Sequence, residues 1–241
     1  MLRKPLMQKT LTLLRNLPRI TWLAGITCGV AVGQAHASGY LLLEGGKSYA
    51  DLSTQPFDRA ATAWLASPTA SSAQVNSDDS DTLWRLGVGY ALSKQFAVEF
   101  YYEDLGDYQA TMNLNGTNGQ GASAQLNATE AVKLSGLGAQ LVGQWPLTSH
   151  VSLLGTAGVA YLENERRYDA TVTNFNAPIQ TTNINDDRHT WAPTLGAGVQ
   201  FSVTEELSLR GRYTRYFDAG ETDNLPAFDL DLISAGLTWH W

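Results

Sequence analysis

Beyond residue 37 the chain contains no cysteine, because its single one, Cys28, lies in the N-terminal segment. No disulfide framework is open to that portion. Basic charge is also scarce. All 23 acidic residues but only 11 of the 16 basic ones lie beyond residue 37, a net charge of −12, which argues against a nucleic acid as partner. Long apolar runs are missing as well. A helix needs about 20 apolar residues to cross a bilayer, and no run after residue 37 approaches that length. If this portion sits in a membrane, only a closed barrel satisfies its backbone there. No amphipathic helix is expected in it.

The N-terminus has a composition of its own. Residues 1–19 carry Arg3, Lys4, Lys9, Arg15 and Arg19 and no acid; Ile20 to Gly33 is apolar but short; Ala35-His36-Ala37 puts small residues where a signal peptidase reads them. This pattern predicts a secretory signal over residues 1–37, cleaved after Ala37, and a single domain over 38–241. Cys28 does not fit a lipoprotein signal, since Gly25 and Thr27 stand where a leucine and a smaller residue are wanted.

What the chain does have is period-two alternation. Ile233, Ala235, Leu237, Trp239 and Trp241 occupy every second position of the last segment, the signature of a strand with one apolar face. Similar alternation predicts eight strands: Tyr40–Tyr49, Thr82–Leu92, Phe96–Glu103, Glu130–Trp145, Val151–Leu162, Trp191–Val203, Leu207–Tyr216 and Phe228–Trp241. The connections alternate in length. Ser93–Gln95, Pro146–His150 and Thr204–Glu206 are short, whereas Ala50–Asp81, Leu105–Thr129, Glu163–Thr190 and Phe217–Pro226 are longer and polar, read as flexible solvated loops. The prediction is an all-β, eight-stranded antiparallel up-and-down transmembrane barrel with short periplasmic turns and long extracellular loops. A soluble barrel of eight strands would instead carry a polar outer face.

Aromatics separate the two. Tyr90, Phe96, Trp145, Phe201, Trp239 and Trp241 fall near the short turns, and Trp84, Tyr102, Tyr161, Trp191 and Tyr213 near the long loops. Two rings of aromatics around an aliphatic band form the girdles of a bilayer-spanning barrel.

Two strand–turn–strand segments carry a family resemblance: Gly87-Val-Gly-Tyr-Ala-Leu-Ser-Lys-Gln-Phe-Ala-Val-Glu-Phe-Tyr-Tyr-Glu-Asp-Leu-Gly106 and Leu195-Gly-Ala-Gly-Val-Gln-Phe-Ser-Val-Thr-Glu-Glu-Leu-Ser-Leu-Arg-Gly-Arg-Tyr213. They resemble the transmembrane domain of the outer-membrane protein A (OmpA) family. The resemblance implies a Gram-negative outer-membrane location, contact with lipid and lipopolysaccharide, and insertion by the barrel-assembly machinery. That machinery would read the C-terminal strand, with Leu237, Trp239 and Trp241 as the signal; most relatives end on phenylalanine. It also implies a luminal charge network, with Glu99 and Arg210 at matching positions. The acid expected on the sixth strand is Gln200 here, and Lys133 sits where the alternation slips.

An eight-stranded barrel has room inside for side chains but not for a wide channel. The inward charges are predicted to be Glu44, Arg85, Glu99, Arg210 and Arg212, with Gln140 and Gln200 beside them, paired because an unpaired buried charge is costly. The network is expected to act as a structural core; the alternative is a gate passing ions or small solutes, as narrow outer-membrane transporters do. A lipid A-modifying enzyme is the third class. His150-Val-Ser152 spells a His-x-Ser pair, but at a short turn and without an orienting acid. No catalytic residue, metal or cofactor is assigned. Asp78, Asp79 and Asp81 are carboxylates suited to a divalent cation bridging lipopolysaccharide phosphates, yet such a run is ordinarily just solvated. No ligand for the loops is readable.

Overall fold

Period-two alternation becomes strand pairing throughout the computed structural model, which describes residues 39–241 apart from 52, 119, 175–177 and 221–227. The predicted signal segment lies outside the described residues. Eight strands close a ring: β1 (Gly39–Ala50), β3 (Ser80–Ala91), β4 (Phe96–Thr117), β5 (Ser123–Pro146), β6 (Val151–Asn174), β7 (Gln180–Ser202), β8 (Leu207–Tyr216) and β9 (Leu230–His240). Each pairs antiparallel with its chain neighbour in the ring, and β1 closes on β9 from Tyr40↔His240 to Ala50↔Leu230. Closure leaves the membrane-spanning part no unpaired edge, which is what hydrocarbon demands.

Alternation sends one set of side chains outward and the other into the lumen. On β1 the outward Leu41, Leu43 and Gly45 are exposed while Tyr40, Leu42 and Glu44 are buried. The outer wall is a band of exposed Leu, Val, Ile and Phe, an apolar belt that water would not tolerate and lipid does.

Two expectations are corrected above that band. The long connections are not simply flexible solvated loops. β4, β5, β6 and β7 run on past the apolar belt for many residues, paired up to Thr117↔Ser123 and Ala124↔Asn174. A further strand, β2 (Ala70–Asp78), joins β4 from Ala70↔Gly116 to Asp78↔Gln109. The polar, Thr- and Asn-rich composition reflects a sheet wet on its outer face; it does not signal a lack of structure.

The second correction is a helix, α1 (Gln55–Leu65), inside the stretch read as a loop. Pro56 suits its first turn, and Phe57, Ala60, Ala61 and Trp64 recur at helical spacing to make one apolar stripe. That stripe packs on Met112, Leu114 and Ala128 of the extended strands. Trp64 Nε1 donates to the Asn115 carbonyl at 3.0 Å, and its ring lies where a side chain on Gly116 would have to be. The helix is therefore held by packing from β4 and β5, without which eleven residues would not stay helical in water. Trp64→Ala is expected to cost about 3 kcal/mol of this docking. Limited proteolysis of the folded protein should then cut between residues 53 and 69, with the heat-modifiable gel migration of the barrel unchanged.

The slip expected at Lys133 is not in its own strand, β5, but in the facing strand β4, which carries a bulge. Register shifts between Asp104 and Gly106, where Gly106 takes φ +98°, a backbone conformation that suits glycine. Before it the odd residues Glu99, Tyr101, Glu103 and Leu105 are buried; after it the even ones, Tyr108, Met112 and Leu114, are. β5 has no such slip: Ala128, Val132, Leu134, Gln140 and Val142 stay buried on one parity, and Lys133 is exposed on the outside, 4.0 Å from Asp104.

Candidate functional site

The lumen is stacked in three layers. Nearest the short turns is an open vestibule of about 250 Å³ bordered by Ser93, Lys94, Gln144, Gln200, Arg210 and His240. Above it sits a charged layer, and above that an apolar one.

The charged layer brings together all five predicted luminal charges, Glu44, Arg85, Glu99, Arg210 and Arg212, each at most 5% exposed. Arg212 reaches Glu44 at 2.5 Å and Glu99 at 3.5 Å; Arg210 reaches Glu99 at 2.5 Å. Arg85 joins Glu44 at 3.2 Å. A sixth charge completes the set: Glu103, fully buried, accepts from Arg85 Nε at 3.0 Å and Nη2 at 2.8 Å. Three guanidinium groups thus face three carboxylates, and the layer sums to zero charge. Such neutrality lets ions remain in a low dielectric, where any unbalanced one would be expelled or would unfold its host.

Further hydrogen bonds extend the network, although Glu44 Oε1, Gln140 Oε1, Arg210 Nε and Arg212 Nε stay buried without a hydrogen-bond partner among the described residues. Tyr40 OH and Gln140 Nε2 donate to Glu99 at 2.6 and 2.5 Å, Tyr216 OH to Glu103 at 2.7 Å, and Arg210 Nη2 to Gln200 at 3.1 Å. The Tyr101 ring lies under Arg85, 4.3 Å from the guanidinium carbon, a cation–π contact. These rings fit because glycines face them: a side chain on Gly89 would strike the Tyr40 ring, and one on Gly138 the Tyr101 ring.

The apolar layer plugs the extracellular end. Leu83, Leu105, Tyr108, Leu134, Leu162 and Leu230 are buried in one cluster, each 2% exposed or less. Tyr216 belongs to both layers, its ring in the plug and its hydroxyl on Glu103. A solute moving through would have to part both, one held by ion pairs and the other by dry packing.

Outside, the eleven aromatics predicted as girdle all stand exposed on the wall: Trp84, Tyr90, Phe96, Tyr102, Trp145, Tyr161, Trp191, Phe201, Tyr213, Trp239 and Trp241. Near the long connections Trp84 pairs with Tyr102 at 5.4 Å between ring centroids, and Tyr161 with Trp191 at 4.8 Å. At the opposite end Trp239 and Trp241 lie 6.4 Å apart. Leu237 shares their outward face.

The remaining candidates do not assemble. His150 Nδ1 shares a hydrogen bond with the adjacent Ser149 Oγ at 2.8 Å, and its ring stacks against Phe201; no hydrogen bond joins it to Ser152 among the described residues. Two further histidines also rest against rings: His189 stacks on Tyr161, and His240 lies tilted against Tyr40, 4.8 Å between centroids. Asp81 is occupied, accepting from the backbone N–H of Asp107 and of Thr82 at 2.7 Å each. Those donors, Asp107 first, hold its carboxyl below the ordinary aspartate range. Asp78 and Asp79 stand exposed beside it.

Sequence reasoning missed Glu103, Tyr40, Tyr101 and Tyr216. All four were within reach by parity: Tyr101 and Glu103 share that of Glu99, Tyr40 that of Glu44, and Tyr216 that of Arg210 and Arg212.

Comparison with known proteins bears on this architecture. A family model described as outer membrane protein beta-barrel domain matches residues 24–240. No curated protein sequence matches the chain. Among solved structures, the chain is 13% identical to neisserial surface protein A (NspA), covering 86% of this chain and 100% of that one with a TM-score of 0.47. It is 12% identical to the attachment invasion locus protein Ail of Yersinia pestis (84% and 99% covered, TM-score 0.38). OprG of Pseudomonas aeruginosa is also 12% identical (86% and 98% covered, TM-score 0.38).

Proposed function

Because the chain belongs to the outer membrane β-barrel family, we propose that it is a closed, non-enzymatic barrel of the Gram-negative outer membrane. Its role is to support envelope integrity and to hold a structured lip outside the cell. The observation that carries this reading is the double closure of the lumen, a neutral set of six buried charges beneath a dry apolar plug. Such a lumen gives the barrel a core in place of a path.

The lip supports the surface role. A sheet extended beyond the membrane and braced by α1 keeps β2 and the upper part of β7 in fixed positions, and a rigid presenting surface loses less entropy when it binds than a floppy loop does. The outward aromatics serve as membrane girdles, and Leu237, Trp239 and Trp241 as the strand read during insertion. The proposed partners are lipid, lipopolysaccharide and the assembly machinery.

A gene deletion tests the role. Loss of the protein should raise outer-membrane permeability to an apolar dye, and plasmid-borne wild type should reverse it. Lipid A mass spectra should stay the same in the deletion strain and on overexpression. A changed lipid A spectrum would overturn the non-enzymatic reading, and an unaltered dye uptake would overturn the integrity role.

A further inference from the structure

Two strands of the lip have a strand neighbour on one side only. β2 is last in the strand order, and β4 is its single partner from Ala70↔Gly116 to Asp78↔Gln109. β7 pairs with β8 only from Thr194↔Tyr216 to Ser202↔Ser208, so above Pro193 its strand partner is β6. Such edges present backbone N–H and C=O groups that another strand can bond, and proteins ordinarily blunt them with charge, proline or a bulge. β7 is blunted in this way by Asp186, Asp187, Arg188 and Pro193. β2 is not. From Ala70 to Ser77 it carries no charge and no proline, and its one irregularity lies at its upper end, between Ala70 and Ser72. The strand that could have continued beside it, β1, stops at Ala50, and Asp51 N–H then bonds to the Asp229 carbonyl on the β9 side. Among the described residues no strand but β4 bonds to Ser72–Asp78. Ala73 and Val75 pack against the α1 cluster, while Gln74 and Asn76 stand exposed on the other face. At the lower end Asp78 and Asp79 are exposed carboxylates.

We propose that the unpaired edge of β2 docks an extended segment of another protein, added antiparallel as one more strand of the lip. The main chain supplies the affinity in this mode of recognition. β2 offers no charge along its length, so it suits a segment that is itself uncharged there. Antiparallel addition brings the N-terminal end of the segment beside Asp78 and Asp79, so a lysine or arginine at that end is favoured. The α1 brace holds β2 in place beforehand, which lowers the entropy lost on docking. This inference rests on the reading of the lip as an outward surface. Binding is measured on the isolated barrel, so its failure leaves the dye-uptake test standing, and the reverse.

The probe is a peptide copying residues 109–116, the stretch of β4 that β2 already pairs with, preceded by one lysine. Amide hydrogen exchange of the refolded barrel in zwitterionic micelles, followed by nuclear magnetic resonance, reads its docking. With the peptide at about ten times its Kd, the edge amides of β2 should exchange about tenfold more slowly, and those of β7 should not change. Methylating alternate peptide nitrogens should abolish the effect for one set and spare it for the other, because only one side of the added strand meets β2. Asp78→Asn combined with Asp79→Asn should weaken binding about threefold or more, the size of exposed ion pairs. Unslowed exchange in β2, equal binding by the two methylated peptides, or unchanged affinity of the double variant would overturn the proposal. So would β2 amides that become protected as the barrel alone is concentrated, which would assign the edge to a second copy.

Discussion

Glu99→Leu is expected to destabilise the folded barrel by about 3–5 kcal/mol, the cost of stripping one partner from a buried charge set. Glu99 accepts from Tyr40, Gln140 and Arg210 and lies 3.5 Å from Arg212. Its loss leaves three buried guanidinium groups facing two carboxylates. The sign of the imbalance matters more than the number of contacts, so the paired change should recover much of the loss. Glu99→Leu combined with Arg210→Met restores neutrality, and the double variant should be more stable than the sum of the two single effects by about 2 kcal/mol or more. Urea unfolding in lipid vesicles, followed by tryptophan fluorescence, measures all four corners of the cycle. Additive effects would mean that the charges act separately and that no network exists.

Removing volume from the plug should cost more than removing the same volume from the lipid face. Leu162 is fully buried in the plug, whereas Leu137 is 62% exposed on the outer wall. Both leave water when the barrel folds into a bilayer, so each alanine variant forfeits a transfer term of about 2 kcal/mol. Lipid tails refill the space left at Leu137. The plug cannot refill, because its neighbours are held by β-ladders on every side, and Leu162→Ala should total about 3–5 kcal/mol once the cavity is included. The same vesicle assay ranks the two. Equal losses would indicate a plug loose enough to collapse, or one already wet.

The membrane-spanning half of the fold was legible because lipid imposes a simple rule on it. Apolar residues at every second position mark an outward face whether or not the neighbouring strand is known, so Trp84–Leu92 and Ile233–Trp241 could be read in isolation. The lip was illegible for the opposite reason. Stretches such as Ser123–Thr129 and Thr181–Thr190 contain small and polar residues on both faces, because the first is wet on one face and meets a helix from a distant part of the chain on the other, and the second is largely exposed on both. The helix itself has only Phe57, Ala60, Ala61 and Trp64 as its stripe, too short to stand out without the surface it covers.

The luminal site was half visible. Inward charges show themselves by parity, and five of the six could be named. Glu103 shares the inward parity of Glu99 and pairs in register with Arg85 on the adjacent strand, but it closes the segment read as a strand, next to the stretch read as a loop. The plug was only partly visible: Leu83 and Leu134 share the parity of the inward Arg85 and Gln140, whereas Leu105 and Tyr108 fell in a stretch read as a loop, where the bulge at Gly106 shifts the buried parity.

Planar-bilayer recording of the purified barrel tests the closure of the lumen most directly. Wild type should show no discrete unitary conductance across the range of potentials a bilayer withstands, in chloride or phosphate buffers alike. Reproducible unitary steps from wild type, abolished or altered by Glu99→Leu, would contradict it and mark the charge network as a gate.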